Sequence, residues 1–505
     1  MADPTAAIAG AAAATPWVLA IDIGTSSTRA LLYDGHGRAV DGLQAQSTSE
    51  LRTGQDGSAE LDPEATLAGV ARCIDAVLAQ AGSRAGTIGA VALDTLATTF
   101  LAVDAAGRPL TALTTYADTR SARAALELQA QLDEAEVHER TGCLLRASYW
   151  PARLAWLRHT QPEVWRRAAR WMTFGEFLEL RWFGRSRVSY SAASWTGLLE
   201  RGGLRWDAPL LAHLDVDVQR LSPLVDVDEP LTELAAPFAA RWPQLSGIPW
   251  FPAIGDGAAA NVGSGCVGPD RIALTLGTTG ALRVARARVD RVPKGLWCYR
   301  IDRKQALLGG ATSEGGNVYA WLQQLLRLGD PAEVEAVVAA YPPDGHGLTV
   351  LPFVAGERSP GWAGDVPATL HGLTLATTPM AIVRAGLEAV AFRFAAIWER
   401  LGIGAAPDQC VIASGSALRH SPAWAQIFAD VLGRPVVLSA EPEATSRGAA
   451  VLALQALGLA PDPAADGPVR EPNAEYHARY QTAIARQQAL YDTVIPTLSP
   501  GGAHG

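Results

Sequence analysis

The chain has 505 residues, more than a single hydrophobic core organises, so two or three domains are expected. Hydrophobic residues make up 49% and charged residues 18% of the sequence, a composition typical of globular proteins. The formal net charge of −9 argues against a nucleic-acid partner, because nucleic-acid binders usually carry a basic surface.

The N-terminal segment is rich in alanine and has no basic stretch of the kind that begins a secretory signal. We predict a disordered tail over residues 1–16, with structure beginning at Trp17. No apolar run reaches the roughly 18 residues of a membrane span, so no membrane partner is expected. The cysteines are scattered and odd in number, which favours reduced thiols and a cytoplasmic location: Cys73, Cys143, Cys266, Cys298 and Cys410.

A β-hairpin motif occurs twice in the sequence. Strands are predicted over 18–23 and 28–33, on either side of the turn Gly24-Thr25-Ser26-Ser27. Residues 271–284 repeat the pattern of strand, turn and strand around Gly277-Thr278-Thr279. Two copies of one hairpin, about 250 residues apart, predict a duplicated architecture.

The remaining segments alternate between helical and strand patterns. Strands are predicted within 86–104 and over 409–413, and a loop over 461–472. Helices are predicted over 63–79, with Asp62 as its cap, 121–132, 152–159, 317–328, 379–401, 422–432 and 474–494. This alternation predicts an α/β fold, and the irregular segment 223–252 predicts a boundary between domains at 17–247 and 248–505.

The first hairpin has the residue types of a phosphate site. A tip made of glycine, threonine and serine exposes backbone N–H groups and hydroxyls that can hold phosphate oxygens. Asp22, just before the turn, is suited to hold Mg²⁺ through water, and Arg29 can meet phosphate charge. A simple hairpin with small turn residues explains one such turn equally well, but the second copy favours phosphate binding.

Asp256 is the candidate catalytic residue. It lies between Gly255 and Gly257, just before an alanine-rich segment that can open a helix. The glycines allow close approach of a ligand, and a helix N-terminus keeps a carboxylate ionised. Such a carboxylate can accept a proton from a hydroxyl that attacks a γ-phosphoryl group. An N-capping aspartate is the alternative explanation.

Other nucleotide and nucleophile motifs are excluded. Gly263, Gly265 and Gly268 match G-x-G-x-x-G, but they follow a predicted helix and precede a turn, whereas a dinucleotide site requires a strand followed by a helix. The sequence contains no G-x-x-x-x-G-K-[ST] and no G-x-S-x-G.

Two further groups are weaker candidates. Gly415 and Ser416 follow a predicted strand and can lie flat against a planar group such as adenine, and Gly316 can line a nucleotide cleft. A strand-to-helix junction or a turn explains these glycines as well. A second group can stack on and hydrogen-bond a polyol, or can simply begin a helix: Tyr116, Asp118 and Arg120.

Taken together, these residues resemble the FGGY family of carbohydrate kinases over residues 17–490. The motifs that carry the resemblance are Asp22 to Arg29, Tyr116 to Arg120, Gly255-Asp256-Gly257, Leu276 to Gly280, Gly356-Glu357-Arg358-Ser359-Pro360, Ser421 to Asp430 and Glu443 to Gly448.

The resemblance implies two ribonuclease-H-like domains of the actin-like ATPase superfamily, with ATP and Mg²⁺ in the cleft between them. By this resemblance Asp256 is the catalytic base and, with Gly257, contacts the sugar, while Asp22 is linked to magnesium. The phosphate turns are then Gly24 to Ser27 and Gly277 to Thr279, and Gly415-Ser416 is the adenine shelf. Thr98 is near the position of the family's sugar-contacting His, and Tyr116 replaces a common Trp.

The substrate prediction is gluconate, because GLWCYR, LLGGATSEGGNVYAWL and LPFVAGERSPGW are most similar to gluconate kinases. Xylulose or another ketose or polyol is the first alternative, and a non-catalytic nucleotide-binding regulator is the second. A sugar acid needs a carboxylate clamp, which we assign to three arginines expected on the first-domain side of the cleft: Arg120, Arg146 and Arg153. A homodimer is a further possible partner.

Overall fold

The computed structural model describes residues 8–10, 12–403 and 409–498. The first half contains strands β1 to β14 at Trp17–Ile23, Ser27–Tyr33, Ala39–Thr48, Arg52–Thr53, Ala59–Leu61, Ile88–Thr95, Leu101–Val103, Leu113–Thr114, Arg170–Met172, Val188–Ser189, Leu199–Glu200, Arg205–Trp206, Leu224–Val225 and Ile254–Gly255. Its helices α1 to α10 are Pro63–Ala81, Ala122–Gln131, Glu134–Thr141, Trp150–Thr160, Pro162–Arg167, Phe174–Phe183, Tyr190–Ser194, Ala208–Leu214, Ala236–Arg241 and Asp256–Gly263.

The second half contains strands β15 to β23 at Arg271–Leu276, Gly280–Arg286, Trp297–Arg300, Ala306–Thr312, Thr349–Leu351, Thr369–His371, Cys410–Ser414, Val436–Ser439 and Asp466–Arg470. Its helices α11 to α17 are Gly316–Leu326, Pro331–Ala340, Pro379–Leu401, Ser416–His420, Pro422–Leu432, Ala444–Ala456 and Ala474–Leu498.

Five strands of each main sheet share one topology, and the second sheet has two more strands, β17 and β23, at its edges. The first sheet has the strand order β14-β6-β1-β2-β3, and the second has β17-β18-β16-β15-β21-β22-β23. In both, an antiparallel hairpin occupies the centre (β1-β2 and β15-β16), and its first strand also pairs in parallel with a later strand (β6 and β21). The predicted duplication is therefore confirmed at the level of strand order.

Helices α10 and α16 lie between the two sheets. Ala259 of α10 and Ala450 of α16 pack with strands β1 and β6 of the first sheet. On the opposite side, Val262 and Val451 pack with Trp297 and other residues of the second sheet. Small apolar side chains suit this layer because both faces of each helix are covered.

The crossing of α10 and α16 requires two glycines. A Cβ atom at Gly263 would lie 1.7 Å from the carbonyl oxygen of Ala444, and one at Gly448 would lie 1.8 Å from that of Ala259. No side chain fits in this space, so the two backbones are in direct contact at the crossing.

A mostly helical subdomain is inserted into the first half and supplies part of the cleft wall. Its core contains Phe100, Trp150 and Trp171, whose rings pack at centroid distances of 5.2 and 5.7 Å. Helices α2, α3, α4, α5 and α8 surround this core. Burial of the three large aromatic rings fixes α4, which begins directly after Tyr149 of the cleft wall.

The predicted elements agree closely with the structure in most places. The helix predicted over 379–401 has those bounds, and Asp62 caps α1 by accepting hydrogen bonds from the N–H groups of Glu64 and Ala65. The loop predicted over 461–472 is wrong, because β23 occupies Asp466–Arg470 and pairs with β22. The sequence interpretation also missed β22 and α16 altogether.

Both predicted domain limits require correction. Residues 1–7 and 11 of the predicted tail lie outside the described residues, but Ile8 forms a β-bridge with Val40, so a disordered segment up to residue 16 is wrong. The chain also leaves the first sheet later than residue 247, because Ile254 of β14 pairs with β6. No helix among the described residues is long and apolar enough to cross a membrane.

Candidate active site

A cavity of about 750 Å³ lies in the cleft between the two sheets. Several predicted site residues line it and are therefore brought together: Asp22, Arg29, Thr98, Tyr116, Asp256, Gly257, Thr279, Gly415 and Ser416. Both halves of the chain contribute to its wall, as expected for a site that forms at a domain junction.

Three carboxylates come from neighbouring strand ends at the floor of the cavity. Asp22 near the end of β1 is directly opposite Asp94 of the parallel strand β6. Asp94 is in turn opposite Ile254 of β14, two residues before Asp256. The carboxyl ends of adjacent parallel strands thus carry the acidic groups to one edge of the sheet, where α/β folds generally place their ligands.

Asp256 is the first residue of α10 and has a perturbed ionisation. Burial raises its pKa from 3.8 to about 6, while a hydrogen bond of 2.7 Å from the Gly257 N–H and the positive charge of Arg283 act in the opposite direction. A carboxylate with this pKa is ionised at neutral pH and holds a proton more readily than an ordinary aspartate does. It therefore has the properties of a general base.

Asp94 belongs to the acidic group of the site, although the sequence analysis did not predict it as a site residue. Its side chain is 0% exposed, and no N–H or O–H group of the described residues donates to either carboxylate oxygen, although the adjacent Asp22 carboxylate can share a proton with it. Burial and the adjacent charge of Asp22 raise the pKa of Asp94 well above its ordinary value, and burial also raises the pKa of Asp22. A buried carboxyl group without partners is costly unless a cation or a proton satisfies it.

The donor set of this acidic group fits a magnesium ion. Mg²⁺ prefers hard oxygen ligands and usually retains several water molecules beside one or two carboxylates. Asp22 and Asp94 would supply such oxygens, and a bound cation would compensate the unsatisfied oxygens of Asp94. The residues present are therefore compatible with the metal that the sequence predicts.

The tips of the two hairpins are tight turns. The Gly24 N–H donates to the Ser27 carbonyl, and the Gly277 N–H donates to the Thr279 carbonyl, each at 3.0 Å. The second tip also accepts a bond of 2.7 Å from the N–H of Gly316, which begins α11. The turn residues Gly24, Thr25, Ser26 and Ser27 begin two positions after Asp22 but do not line the cavity, unlike Thr279.

A second cavity of about 620 Å³ adjoins the first, and Ser416 and His420 line both. Gly277, Thr278 and Gly316 are part of its wall, together with apolar side chains such as Tyr319 and Val334. This arrangement can hold a planar ring next to a polyphosphate chain.

Gly415 is required at the junction of the two cavities. Its backbone has φ +99°, and a Cβ atom would lie only 2.3 Å from the carbonyl oxygen of Leu276. The absent side chain leaves the backbone flat against β15, as the sequence interpretation expects of a shelf residue.

The polyol group predicted in the first half is only partly in the cavity. Tyr116 lines it and is 43% exposed. Arg120 instead pairs with Asp118 at 2.6 Å and with Glu60, and both Asp118 and Arg120 line a separate cavity of about 250 Å³. The structure therefore does not bring these two residues to the main site.

The other two arginines of the predicted carboxylate clamp also have structural partners. Arg146 pairs with Glu134, and Arg153 donates to the backbone carbonyls of Thr98 and Thr115. Neither lines the main cavity. The predicted clamp is thus wrong, because these guanidinium groups are already bound within the first domain.

Thr98 has an unusual conformation within the cavity wall. Its φ is +55°, which a β-branched residue rarely adopts, and its buried hydroxyl has no partner among the described residues. Strain of this kind commonly occurs where the chain is shaped for a ligand. The feature supports the prediction that Thr98 belongs to the substrate side of the site.

An aromatic wall, formed by Trp195, Tyr299 and Tyr149, lines the cavity next to Asp256. Trp195 packs against Gly255 and Gly257, where added Cβ atoms would lie 2.6 and 2.7 Å from its ring. Trp195 stacks on Tyr299 at a centroid distance of 4.1 Å, and Tyr299 hydrogen-bonds to Tyr149. Such faces suit the C–H surfaces of a sugar chain.

Three cavity arginines were also missed by the sequence interpretation, namely Arg283, Arg358 and Arg419. The sequence did contain a signal for Arg283. On β16 the residues Ala281 and Arg283 lie on one face, because side chains alternate along a strand. Arg283 is therefore directed to the same side of the sheet as the cavity residue Ala281. Arg358 belongs to a motif for which no role was predicted.

Comparisons with known proteins agree with this geometry. The model of the "FGGY family of carbohydrate kinases, N-terminal domain" matches residues 17–263, and that of the C-terminal domain matches residues 272–457. A glycerol kinase from Alkalilimnicola ehrlichii is 32% identical over 462 residues, 88% of this chain and 90% of that protein.

Two further proteins are similar over most of the chain. A gluconokinase from Bacillus subtilis is 29% identical over 461 residues, which are 88% of each chain. The structure of a xylulose kinase from Lactobacillus acidophilus has a TM-score of 0.90 at 24% identity and covers 95% of this chain and 99% of its own. This likeness confirms the predicted two-domain fold.

Proposed function

The chain belongs to the FGGY family of carbohydrate kinases, and on that premise we propose that it transfers the γ-phosphoryl group of ATP to a hydroxyl of gluconate or a closely related sugar acid. The observation that carries the proposal is Asp256 at the junction of the two domains, with its pKa raised to about 6. The family assignment makes the protein a phosphotransferase that uses ATP.

In the proposed reaction Asp256 accepts the proton of the attacking hydroxyl. A base is most effective when its pKa lies close to the working pH, and burial brings the pKa of Asp256 from 3.8 to about 6. The Gly257 N–H fixes one carboxylate oxygen at 2.7 Å, which leaves the other oxygen for the substrate. The aromatic wall beside Gly257 then orients the carbon chain.

ATP is proposed to span the two adjoining cavities. The adenine would lie in the 620 Å³ cavity, against Gly415 and Ser416, and the phosphates would extend toward the hairpin tips. Backbone N–H groups at such tips hold phosphate oxygens, and Arg29 adds a positive charge. Arg29 is bound at 2.7 Å to Glu443, which precedes α16, so nucleotide phosphates would compete with that carboxylate.

Magnesium would be held by Asp22 and Asp94. When bound, the ion supplies positive charge to the β- and γ-phosphate oxygens. Asp256 is close enough for the charge of Asp22 to affect its ionisation, so the proposed base lies near the proposed metal site.

The preference for a sugar acid has two supports. The gluconokinase of Bacillus subtilis matches 88% of this chain, and the cavity contains the guanidinium groups of Arg283 and Arg358, which a neutral substrate does not need. Arg358 lines the cavity, lies over the ring of Trp362 at 6.0 Å and forms no ion pair with any described residue, so it is available to a substrate carboxylate. These residues replace the clamp predicted from the sequence.

A substrate panel tests the proposal. Coupled ADP release is measured with gluconate, xylulose, ribulose and glycerol under one set of conditions, and kcat/KM is compared. We expect gluconate to be the best substrate. A preference for a neutral substrate by more than about tenfold, or roughly 1.4 kcal/mol, would contradict the assignment of a sugar acid but not that of a kinase.

Phosphorylation of a neutral ketose or polyol is the second candidate. It is favoured by the glycerol kinase of Alkalilimnicola ehrlichii, which is 32% identical, and by the aromatic wall, which binds neutral sugars equally well. The same panel distinguishes the two candidates.

A further inference from the structure

Arg283 is a buried cation that faces the catalytic cavity. It is 7% exposed and lines the cavity, but it forms no ion pair with a carboxylate of the described residues. Its Nε donates to Asn261 Oδ1 at 2.8 Å and its Nη2 donates to Thr275 Oγ1 at 2.7 Å. Both partners are neutral side chains.

Other buried arginines of the described chain have either a carboxylate partner or backbone partners. Arg384 and Arg393 pair with Glu388 and Glu357, and Arg153 is held by two backbone carbonyl oxygens. None of these three lines the main cavity. A buried charge without a close anion is costly, and Arg283 differs from Arg153 in facing a cavity that an anionic ligand can enter.

The unpaired edge of Arg283 is directed toward the base. Its Nη1 lies 3.8 Å from the position that a Cβ atom would take at Gly257, the residue after Asp256. Burial lowers the pKa of Arg283, and the charge of Asp256 opposes this effect, which agrees with their proximity.

The guanidinium group is also held rigidly. Asn261 is itself fixed by a hydrogen bond of 3.1 Å from its Nδ2 to the Cys266 carbonyl, and Thr275 is bonded to Ser414 at 3.1 Å. A cation whose supports are fixed in advance binds an anion with little further ordering cost.

We propose that Arg283 is an oxyanion-binding residue of the active site, and that its ligand is either the phosphoryl group in transfer or the carboxylate of a sugar-acid substrate. The first source depends only on the kinase reaction, whereas the second rests on the proposed function. Both anions present planar or near-planar oxygen pairs that a guanidinium group can bind.

Two measurements on Arg283→Gln distinguish the sources. Binding of gluconate without nucleotide is measured by calorimetry, and kcat is measured with the best charged and the best neutral acceptor. If the ligand is the carboxylate, the dissociation constant of gluconate rises about 10- to 100-fold and kcat with the neutral acceptor is unchanged. If it is the phosphoryl group, gluconate affinity is retained and kcat falls about 10²- to 10³-fold with every acceptor.

Arg283→Lys and Arg300→Gln serve as the second variant and the control. The lysine keeps the positive charge but not the two-pronged geometry, so it should recover part of the lost affinity or rate. Arg300 is a buried arginine of β17 that binds the carbonyls of Asp302 and Arg303 and does not line the cavity. Its variant should lose thermal stability but keep gluconate affinity and kcat within about twofold.

The proposal is overturned if Arg283→Gln, folded as judged by its melting curve, changes neither gluconate affinity nor kcat. It is also overturned if Arg283→Lys and Arg283→Gln lose thermal stability to the same extent while neither loses gluconate affinity or kcat. If gluconate does not bind the unmodified protein but Arg283→Gln lowers kcat with the true acceptor, the sugar-acid assignment fails and the role of Arg283 stands.

Discussion

Replacing Asp256 with asparagine should remove activity and, at the same time, stabilise the protein above neutral pH. The asparagine keeps an oxygen that can accept the hydrogen bond from the Gly257 N–H, so the local geometry is preserved. What changes is the charge. Loss of a general base typically lowers the rate about 10²- to 10⁴-fold.

The gain in stability follows from the direction of the pKa change. The pKa of Asp256 rises from 3.8 to about 6 on folding, so the ionised form is disfavoured in the folded state. Below pH 3.8 both states are protonated and there is no cost. The cost grows between pH 3.8 and 6 and is fully present above pH 6.

The size of the effect can be bounded. One pKa unit corresponds to about 1.4 kcal/mol, so the cost above pH 6 is at most about 3 kcal/mol, and less because Asp256 faces the water of the cleft. The carboxylate also gains about 0.3–1 kcal/mol from the N-terminus of α10, which the asparagine loses. The electrostatic cost is larger, so the variant should be more stable at pH 8.

The assay compares denaturant unfolding of the two proteins at pH 8 and at pH 4.5, together with kcat in the coupled assay at pH 8. Asp62→Asn is a matched control, because Asp62 also lies at a helix N-terminus but away from the cleft. Equal stability differences at the two pH values would refute the electrostatic argument. Near-native kcat in Asp256→Asn would remove Asp256 from the mechanism.

Three further predictions follow from the same contacts. The value of kcat/KM should fall about tenfold for each pH unit below 6, as Asp256 becomes protonated, and a flat profile from pH 5 to 8 would contradict its role as the base. Asp94→Asn should raise the Mg²⁺ concentration needed for half-maximal rate by about tenfold and weaken Mn²⁺ binding measured by electron paramagnetic resonance, because a neutral amide replaces one of the two carboxylates. Unchanged metal binding would limit Asp94 to a structural role. Gly448→Ala should lower the free energy of unfolding by about 1–3 kcal/mol, because its Cβ would lie 1.8 Å from the Ala259 carbonyl oxygen. An unchanged denaturation midpoint would show that α10 and α16 can move apart without cost.

Features that depend on local sequence were predicted well. The hairpin tips around Gly24 and Gly277 are formed by residues with strong turn preferences, and the helix cap at Asp62 is formed within three residues of the chain. Asp256 was also identified, because two glycines and a following helix mark it in the sequence.

Features that depend on distant contacts were not predicted. Arg120 and Arg153 were assigned to the cleft from their position in the chain, but Glu60 and the Thr98 and Thr115 carbonyls hold them elsewhere. Asp94 reads as a polar residue in a buried strand, and only its register with Asp22 shows that it joins the acidic group. The pairing of distant strands across the sheet determines which of these residues lie together at the site.

The glycine crossing of α10 and α16 has a mechanical consequence. Because the backbones of the two helices are in direct contact at Gly263 and Gly448, we expect a rotation of one domain against the other to pivot about this fulcrum. Asp256 is at the start of α10, only two helical turns from the fulcrum, whereas the rims of the cleft are much further out. A rotation that opens the rims widely for substrate entry would therefore displace the base very little, as the inner end of a lever moves less than its tip.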